Sequence, residues 1–372
     1  MRSRGIFREL KTIVSRQIHQ YTMIIALLAI WIFFQFVTKG IFLTPRNLNN
    51  ILLQMCFIGV AACGMVLVMV AAQIDLSVGS VIGFTGAIIT SLLRDYKMNI
   101  VPAIIITLLV GLLIGLWHGI WVAYMGLPAF IVTLSSQMLF RGGVMGVTKG
   151  STIQPNVNSF KAIGQGYLPN FLSFSKYNST AIIAGLIFIV IFILMQINKR
   201  RKRKSYNFQV ENIYLFILKL VIMSLVIALV FGIWSMDRGI PVAILILFVV
   251  VLIMSIVSNR TPFGRHVFAI GGNAEATQLS GVNVKSTMLN IFLIMGVLSA
   301  ISGIVYTSRL NSAAIAGGTG TETDIIASAI IGGTSPSGGT GSIIGCIIGA
   351  LVMASLENGM SILSLGSFEK YI

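Results

Sequence analysis

Ten apolar runs, each about as long as a bilayer is thick, leave this chain few ways to fold. A helix needs roughly 20 apolar residues to cross a hydrocarbon core. Ten stretches meet that ruler: Thr22–Thr38, Ile51–Ala71, Ser77–Leu93, Val101–Tyr124, Pro128–Val147, Thr180–Ile197, Ile213–Trp234, Ile240–Ser258, Met288–Ser308 and Gly338–Leu365. An eleventh, "TDIIASAIIGGTS" (Thr323–Ser335), is too short to span unaided and reads as a half-helix or re-entrant segment packed inside a bundle. Because 56% of the residues are hydrophobic, only 10% are charged and the mean hydropathy is +0.94, an all-α polytopic membrane protein is expected. It reads as a single transmembrane domain over residues 1–372, since the longest link, about thirty residues, is too short for a separate soluble domain. The first run, behind a basic lead at residues 1–21, reads as a retained span and not a secretion signal, because no small-residue cleavage site follows it.

The net charge of +16 lies in short links between apolar runs and not on a folded, solvated surface. That placement argues for membrane orientation and against nucleic acid. Five Lys or Arg precede Thr22, six run consecutively from Lys199 to Lys204, and the next link adds Arg260, Arg265 and Lys285. All three clusters are expected in the cytoplasm, with the N-terminus inside, and the alternation of spans agrees. The link between Val147 and Thr180 then falls outside, although it carries three lysines.

The sequence offers no catalytic set. It has no Walker lysine loop, no HExxH, no GxSxG and no dense series of intramembrane acids. "GGTSPSGGTGS" (Gly332–Ser342) lacks the phosphate-binding lysine and follows no strand, so it is not read as a nucleotide site. Cys56, Cys63 and Cys346 lie in apolar runs without CxxC spacing, which predicts neither disulfides nor a metal centre. His118 has no second ligand at metal-binding spacing and reads as a packed histidine.

Gly111, Gly115 and Gly119, and again Gly341, Gly345 and Gly349, recur every fourth residue. Such a face lets a second backbone come close, so packing is the expected role. The two ladders follow Asp75 and Asp324, which hints at an internal repeat of the kind transporters use. Asp75 in "AAQIDLSVGS" needs a reason, since an aspartate at a helix centre in the membrane costs roughly 2.5–3.5 kcal/mol. Two compatible readings stand: Asp75 or Ser77 caps a helix starting at Leu76, or Asp75, Ser77, Ser80 and Asp324 line a polar path. Arg141, Lys219, Glu357 and Asn358 are the other polar residues noted inside spans, with Lys219 near enough to a helix end to snorkel.

The cytoplasmic link at residues 258–287 contains "NAEATQLSG", a short helix that Asn273 can cap, Glu275 favours in its first turn and Gly281 ends. "AQIDLSVGS", "TPFGRHVFAIGGNAEATQLSGVNV", "IIASAIIGGTSPSGGTGS" and "MASLENGMSIL" together resemble the permease subunit of bacterial ABC-type sugar importers, the ribose, xylose and galactose branch. The external "KGSTIQPNVNSFKAIGQGYLP" is most similar to the xylose permeases. The resemblance runs from about Leu43 to the last residue. It implies a multi-pass subunit of the cytoplasmic (inner) membrane that works as a pair, within membrane lipid. It also implies sugar delivered by a periplasmic or extracellular binding protein. The loop matching Gly272, Asn273, Glu275, Ala276 and Gly281 would couple the subunit to a cytoplasmic ABC ATPase. ATP and Mg would be used by that partner, with no cofactor held by this chain. The sequence departs from the family at His118, where asparagine is common, and after "GSFEKYI", where family members continue into one more helix. An ion-coupled secondary transporter and a membrane enzyme or scaffold are the competing classes.

Overall fold

The computed structural model describes residues 18–171, 177–208, 210 and 212–364, with side chains from residue 22 onward. Most of the basic lead and the terminal "GSFEKYI" lie outside the described residues. Fourteen helices follow one another among those described: α1 (Ile18–Val37), α2 (Pro45–Val70), α3 (Val78–Arg94), α4 (Ile100–Gly119), α5 (Ala129–Thr148), α6 (Asn158–Gln165), α7 (Ser179–Ser205), α8 (Ile213–Met236), α9 (Val242–Arg260), α10 (Pro262–Gly272), α11 (Ala274–Leu279), α12 (Val284–Leu310), α13 (Thr321–Ile331) and α14 (Ile343–Ile362). Eight are long and apolar enough to cross a membrane, and two shorter apolar helices, Thr22–Val37 and Val78–Arg94, complete the ten expected spans. Polar side chains set several starts. Asn178, Asn283 and Ser342 accept hydrogen bonds from the Ala181, Ser286 and Gly345 amides, using N–H groups that a helix start leaves unpaired.

The described chain groups into two compact units. The smaller holds Leu43–Asn49 and Tyr167–Pro241; the larger holds His19–Phe42, Asn50–Gly166 and the residues from Val242 onward. In the smaller unit α7 and α8 form an antiparallel pair, with Gly185 seated against the Phe231 ring and Phe188 and Phe231 packed at 5.5 Å. Asn49 Nδ2 donates to Asp237 Oδ2 at 2.6 Å. No residue in the apolar stretch of α8 is fully buried, which suits a helix that packs on one side and is solvated by lipid tails on the other.

The larger unit is built around α2 and α12. Apolar and small residues of α2 from Cys56 to Val70 are nearly all buried. The first glycine ladder brings α4 onto α12: side chains added at Gly111, Gly115 and Gly119 would strike the Gly296 carbonyl, the Phe292 carbonyl and Leu289. The second ladder packs α14 on α13, with Gly345 against the Gly332 carbonyl and Gly349 against the Ser328 carbonyl. The hinted repeat therefore does not extend to packing partners. One ladder grips a helix far along the chain, the other the helix just before it.

The short eleventh segment takes the half-helix form. α12, at 27 residues, is about 40 Å long. At its end Ala313 pairs with Ile153 beyond α5, and α6 clasps the same end, where Ser308 Oγ accepts from the Gly164 amide at 2.7 Å. The chain then returns as irregular backbone through Gly317, Gly318 and Gly320, becomes α13, and arrives where the Gly339 amide donates to the Val70 carbonyl at 2.9 Å. Irregular backbone at membrane depth is tolerated only inside protein. Here α3 covers it, with Gly83 against the Gly317 carbonyl.

Gly115→Ala is expected to destabilise the protein by about 1–3 kcal/mol through overpacking against α12. Gly142→Ala on α5, whose new methyl would meet nothing within 4 Å, should be neutral or stabilising by about 0.5–1 kcal/mol. Thermal unfolding of the two purified variants checks this. Equal melting temperatures would remove backbone contact as what holds α4 to α12.

Candidate functional site

Two helix starts meet inside the larger unit. A side chain on Gly79, in the first turn of α3, would run into the Glu322 carboxylate, the Gly318 carbonyl and Thr321 Oγ1 at the start of α13. Gly318 has φ +76°, a conformation that suits glycine. Each helix start carries partial positive charge, and both are supplied with carboxylates: Asp75 before α3, Glu322 and Asp324 in the first turn of α13.

Asp75 is 2% exposed. Its Oδ1 accepts from the Ser77 amide at 2.8 Å and from Ser77 Oγ at 2.6 Å. The helix begins at Val78, not Leu76, and Ser77 makes no side-chain cap bond; its hydroxyl donates to Asp75 instead. Asp75 thus holds the turn into α3. Thr133 of α5 takes the Leu76 amide at 3.1 Å, pinning that turn to a third helix. Ser80 Oγ, one helical turn from Ser77, is buried and has no partner.

Glu322 gathers the other polar groups. Its Oε1 accepts from Gln137 Nε2 at 2.8 Å and from Arg141 Nη2 at 3.1 Å, both on α5. Its Oε2 is buried without a partner. Arg141 is therefore an ion-paired residue reaching from one helix to the half-helix. His118 on α4 is 2% exposed, lies edge-on to Phe140 and Phe292, and has Asp75 as its charged neighbour. Its Nε2 is unpaired. Two buried polar atoms where α3 and α13 meet, Ser80 Oγ and Glu322 Oε2, thus lack an acceptor or donor, as does His118 Nε2 on α4. Asp324, deeper along α13, shares its field with Glu322 and with Glu357 of α14. Among the described residues no group of three His, Cys, Asp or Glu could hold a metal ion.

The link between α9 and α12 forms a capped knuckle. Thr261 Oγ1 accepts from the Gly264 amide at 3.1 Å, starting α10, and Asn273 Oδ1 accepts from the Ala276 amide at 2.9 Å, starting α11. Gly281, at φ +86°, ends the knuckle. Gly272, Asn273, Glu275 and Ala276 are exposed, and Leu279 is 86% exposed. One residue before them, Gly271 is locked in place: a side chain there would collide with the Val70 carbonyl and the Gly339 amide. Gly338 in turn sits on the Gly271 carbonyl. The Gly332–Ser342 loop is therefore a backbone joint linking the knuckle, the end of α2 and the end of α13.

The family described as branched-chain amino acid transport system / permease component matches this chain over residues 47–195 and 171–368. The chain belongs to that permease family. Over 354 residues, 95% of this chain and 92% of the relative, the permease is 39% identical to the xylose transport system permease protein XylH of Haemophilus influenzae. Against XylH of Escherichia coli K12 it is 38% identical over 372 residues, 99% of this chain and 91% of the relative. The ribose import permease protein RbsC of Haemophilus influenzae is 31% identical over 335 residues, covering 89% and 82%. No solved structure matches the chain. The permease is thus an all-α, multi-pass membrane protein and a transport component.

Of the expected polar residues, Asp75, Ser77 and Ser80 lie around the first turn of α3, where it meets the start of α13; Asp324 is in the first turn of that half-helix. Gly111, Gly115, Gly119, Gly341, Gly345 and Gly349 are packing positions, away from this polar group. Glu322, Gln137 and Thr133 were not singled out from the sequence. The signal for Glu322 was Arg141, a cation in a span that demands an acid, together with the two acids of "TETD".

Two measurements test the site's construction. Asp75→Asn keeps an oxygen for the Ser77 amide and should unfold within about 0.5 kcal/mol of the parent, whereas Asp75→Ala should lose about 1 kcal/mol; equal losses would exclude the turn-holding role. Arg141→Met leaves the Glu322 carboxylate short of a donor and should cost about 1–3 kcal/mol. Adding Glu322→Gln should recover at least half of that in a double-mutant cycle, and additive losses would show that the pair contributes nothing.

Proposed function

We propose that the permease is the transmembrane subunit of an ATP-driven, ABC-type importer that carries a monosaccharide, xylose or a related sugar, across the bacterial cytoplasmic membrane. The carrying observation is likeness over nearly the whole chain to proteins named as xylose permeases, at 38–39% identity against 31% for a ribose permease. In this reading the chain is one permease domain with its N-terminus inside and works as a pair with a second copy. It receives sugar from an external binding protein, and a cytoplasmic ATPase uses ATP and Mg on its behalf. No cofactor, metal or nucleic acid is required by this chain itself.

The geometry supplies a route for coupling. The exposed knuckle of Gly272, Asn273, Glu275, Ala276 and Gly281 is the docking element, stiffened by the Asn273 cap. Displacement of α10 and α11 passes through the Gly271 contact to Val70 and Gly339, and so to the end of α2 and to the C-terminal end of the segment that carries α13. α13 is tied to α5 by Glu322 and faces the start of α3. Motion of this half-helix changes the surroundings of Asp75, Ser80 and Asp324, the polar groups assigned to the path. Half-helices meeting at a polar centre are a recurrent transporter device.

Replacing Glu275 with Lys and Ala276 with Asp should leave membrane insertion intact and abolish sugar-stimulated ATP hydrolysis in the reconstituted complex. Co-purification of the tagged chain from its native membrane should bring an ATPase with it. Full stimulation in the double variant would remove the knuckle from the mechanism. Xylose accumulation driven by an ion gradient, with no ATPase present, would favour the secondary-transporter class instead.

A further inference from the structure

The α7–α8 pair ends in a cleft that the transport reading does not use. Between Gln196 and Lys219 the sequence holds seven Lys or Arg and one acid. Lys199, Arg200 and Arg203 of α7 and Lys219 of α8 line an open cleft, together with Gln196, Val210 and Phe216. The other cations of the run, Arg201, Lys202 and Lys204, do not line it. The cleft is therefore a selected part of the basic run.

Arg200 is built into the wall. Its guanidinium carbon lies 4.7 Å from the centre of the Phe216 ring, within cation–π range. Its Nη1 is buried with no hydrogen-bond partner. A buried guanidinium N–H without an acceptor is costly, and a fixed fork of donors suits a phosphate oxygen. Phe216 and Val210 make the wall beside these cations apolar. On the adjoining α7 and α8 surfaces Leu194, Met195, Ile213 and Ile217 are all about half exposed or more. Cations side by side with unburied apolar helix match a molecule with a phosphate head and acyl tails. Free phosphate would use only the cations.

We infer that this cleft binds the phosphodiester head of one anionic phospholipid, with its acyl chains lying along α7 and α8. Attraction between a basic juxtamembrane run and an anionic membrane is general; the cleft confines it to one site, with Arg200 as the central donor.

The test uses the full-length permease, purified and delipidated, then offered phosphatidylglycerol, phosphatidylcholine or inorganic phosphate. Native mass spectrometry counts retained lipid, and thermal unfolding reads stabilisation. The parent should retain one phosphatidylglycerol over phosphatidylcholine and gain stability from it, with no gain from phosphate. Arg200→Gln/Arg203→Gln should weaken retention by about tenfold or more. Arg201→Gln/Lys204→Gln, which removes the same charge outside the cleft, should retain lipid as the parent does. Equal weakening in both pairs would reduce the effect to bulk charge and overturn the site. Stabilisation by phosphate equal to that by lipid would overturn the lipid assignment. If the cleft variant fails to insert, the parent decides alone: no preference for phosphatidylglycerol refutes the proposal.

Discussion

Two helices that begin against each other inside an apolar bundle present two partial positive charges and two sets of unpaired N–H groups at one place. Everything around the start of α3 and α13 answers that problem. Asp75 takes the Ser77 amide, Glu322 stands in the first turn of α13, and Thr133 takes the Leu76 amide. Gly79 and Gly318 let the backbones come close, with the Glu322 carboxylate lying against Gly79. Arg141 then balances the Glu322 charge, and Gln137 donates to the same oxygen. Removing any one of these leaves a buried group without its partner, which costs more than the partnership itself contributes.

The second constraint is the lack of a hydrophobic drive between helices in lipid, which leaves close van der Waals contact to hold them. Glycine supplies it in three settings. Along α4 it seats a long helix on another, along α14 it seats a helix on a half-helix, and at Gly271 it fastens an exposed segment to the ends of two buried ones. The chemistry is the same, a carbonyl occupying the space a side chain would take. What differs is the element that each contact ties down.

Much of this was readable in the sequence because it is local. Apolar run length marked the eight helices long enough to cross a membrane and the two shorter apolar ones, and the short run at 323–335 gave a half-helix. Asn273, Glu275 and Gly281 gave α11, since caps act within three or four residues. What the sequence did not give is long-range. Glu322 and Arg141 are 181 residues apart, and nothing near either one names the other. Asp324 was the acid singled out from the sequence and Glu322 was not, because which of two acids faces a neighbour depends on the helix phase, set here by a start at Thr321. Ser77 looked like a cap because serine commonly is one; instead its own amide and hydroxyl both donate to Asp75, two residues earlier. The glycine ladders announced contact without announcing with whom, since small residues carry no mark of their partner.

Cys56, Cys63 and Cys346 have no solvent exposure, and all three thiols are free. Buried thiols in apolar surroundings are inert toward alkylating reagents. The permease therefore comes with a silent background for thiol labelling. A single cysteine introduced on the exposed knuckle, or beside Ser80, would be the one sulfur that a water-soluble maleimide could find. The rate at which it reacts would report, position by position, when water enters the interior.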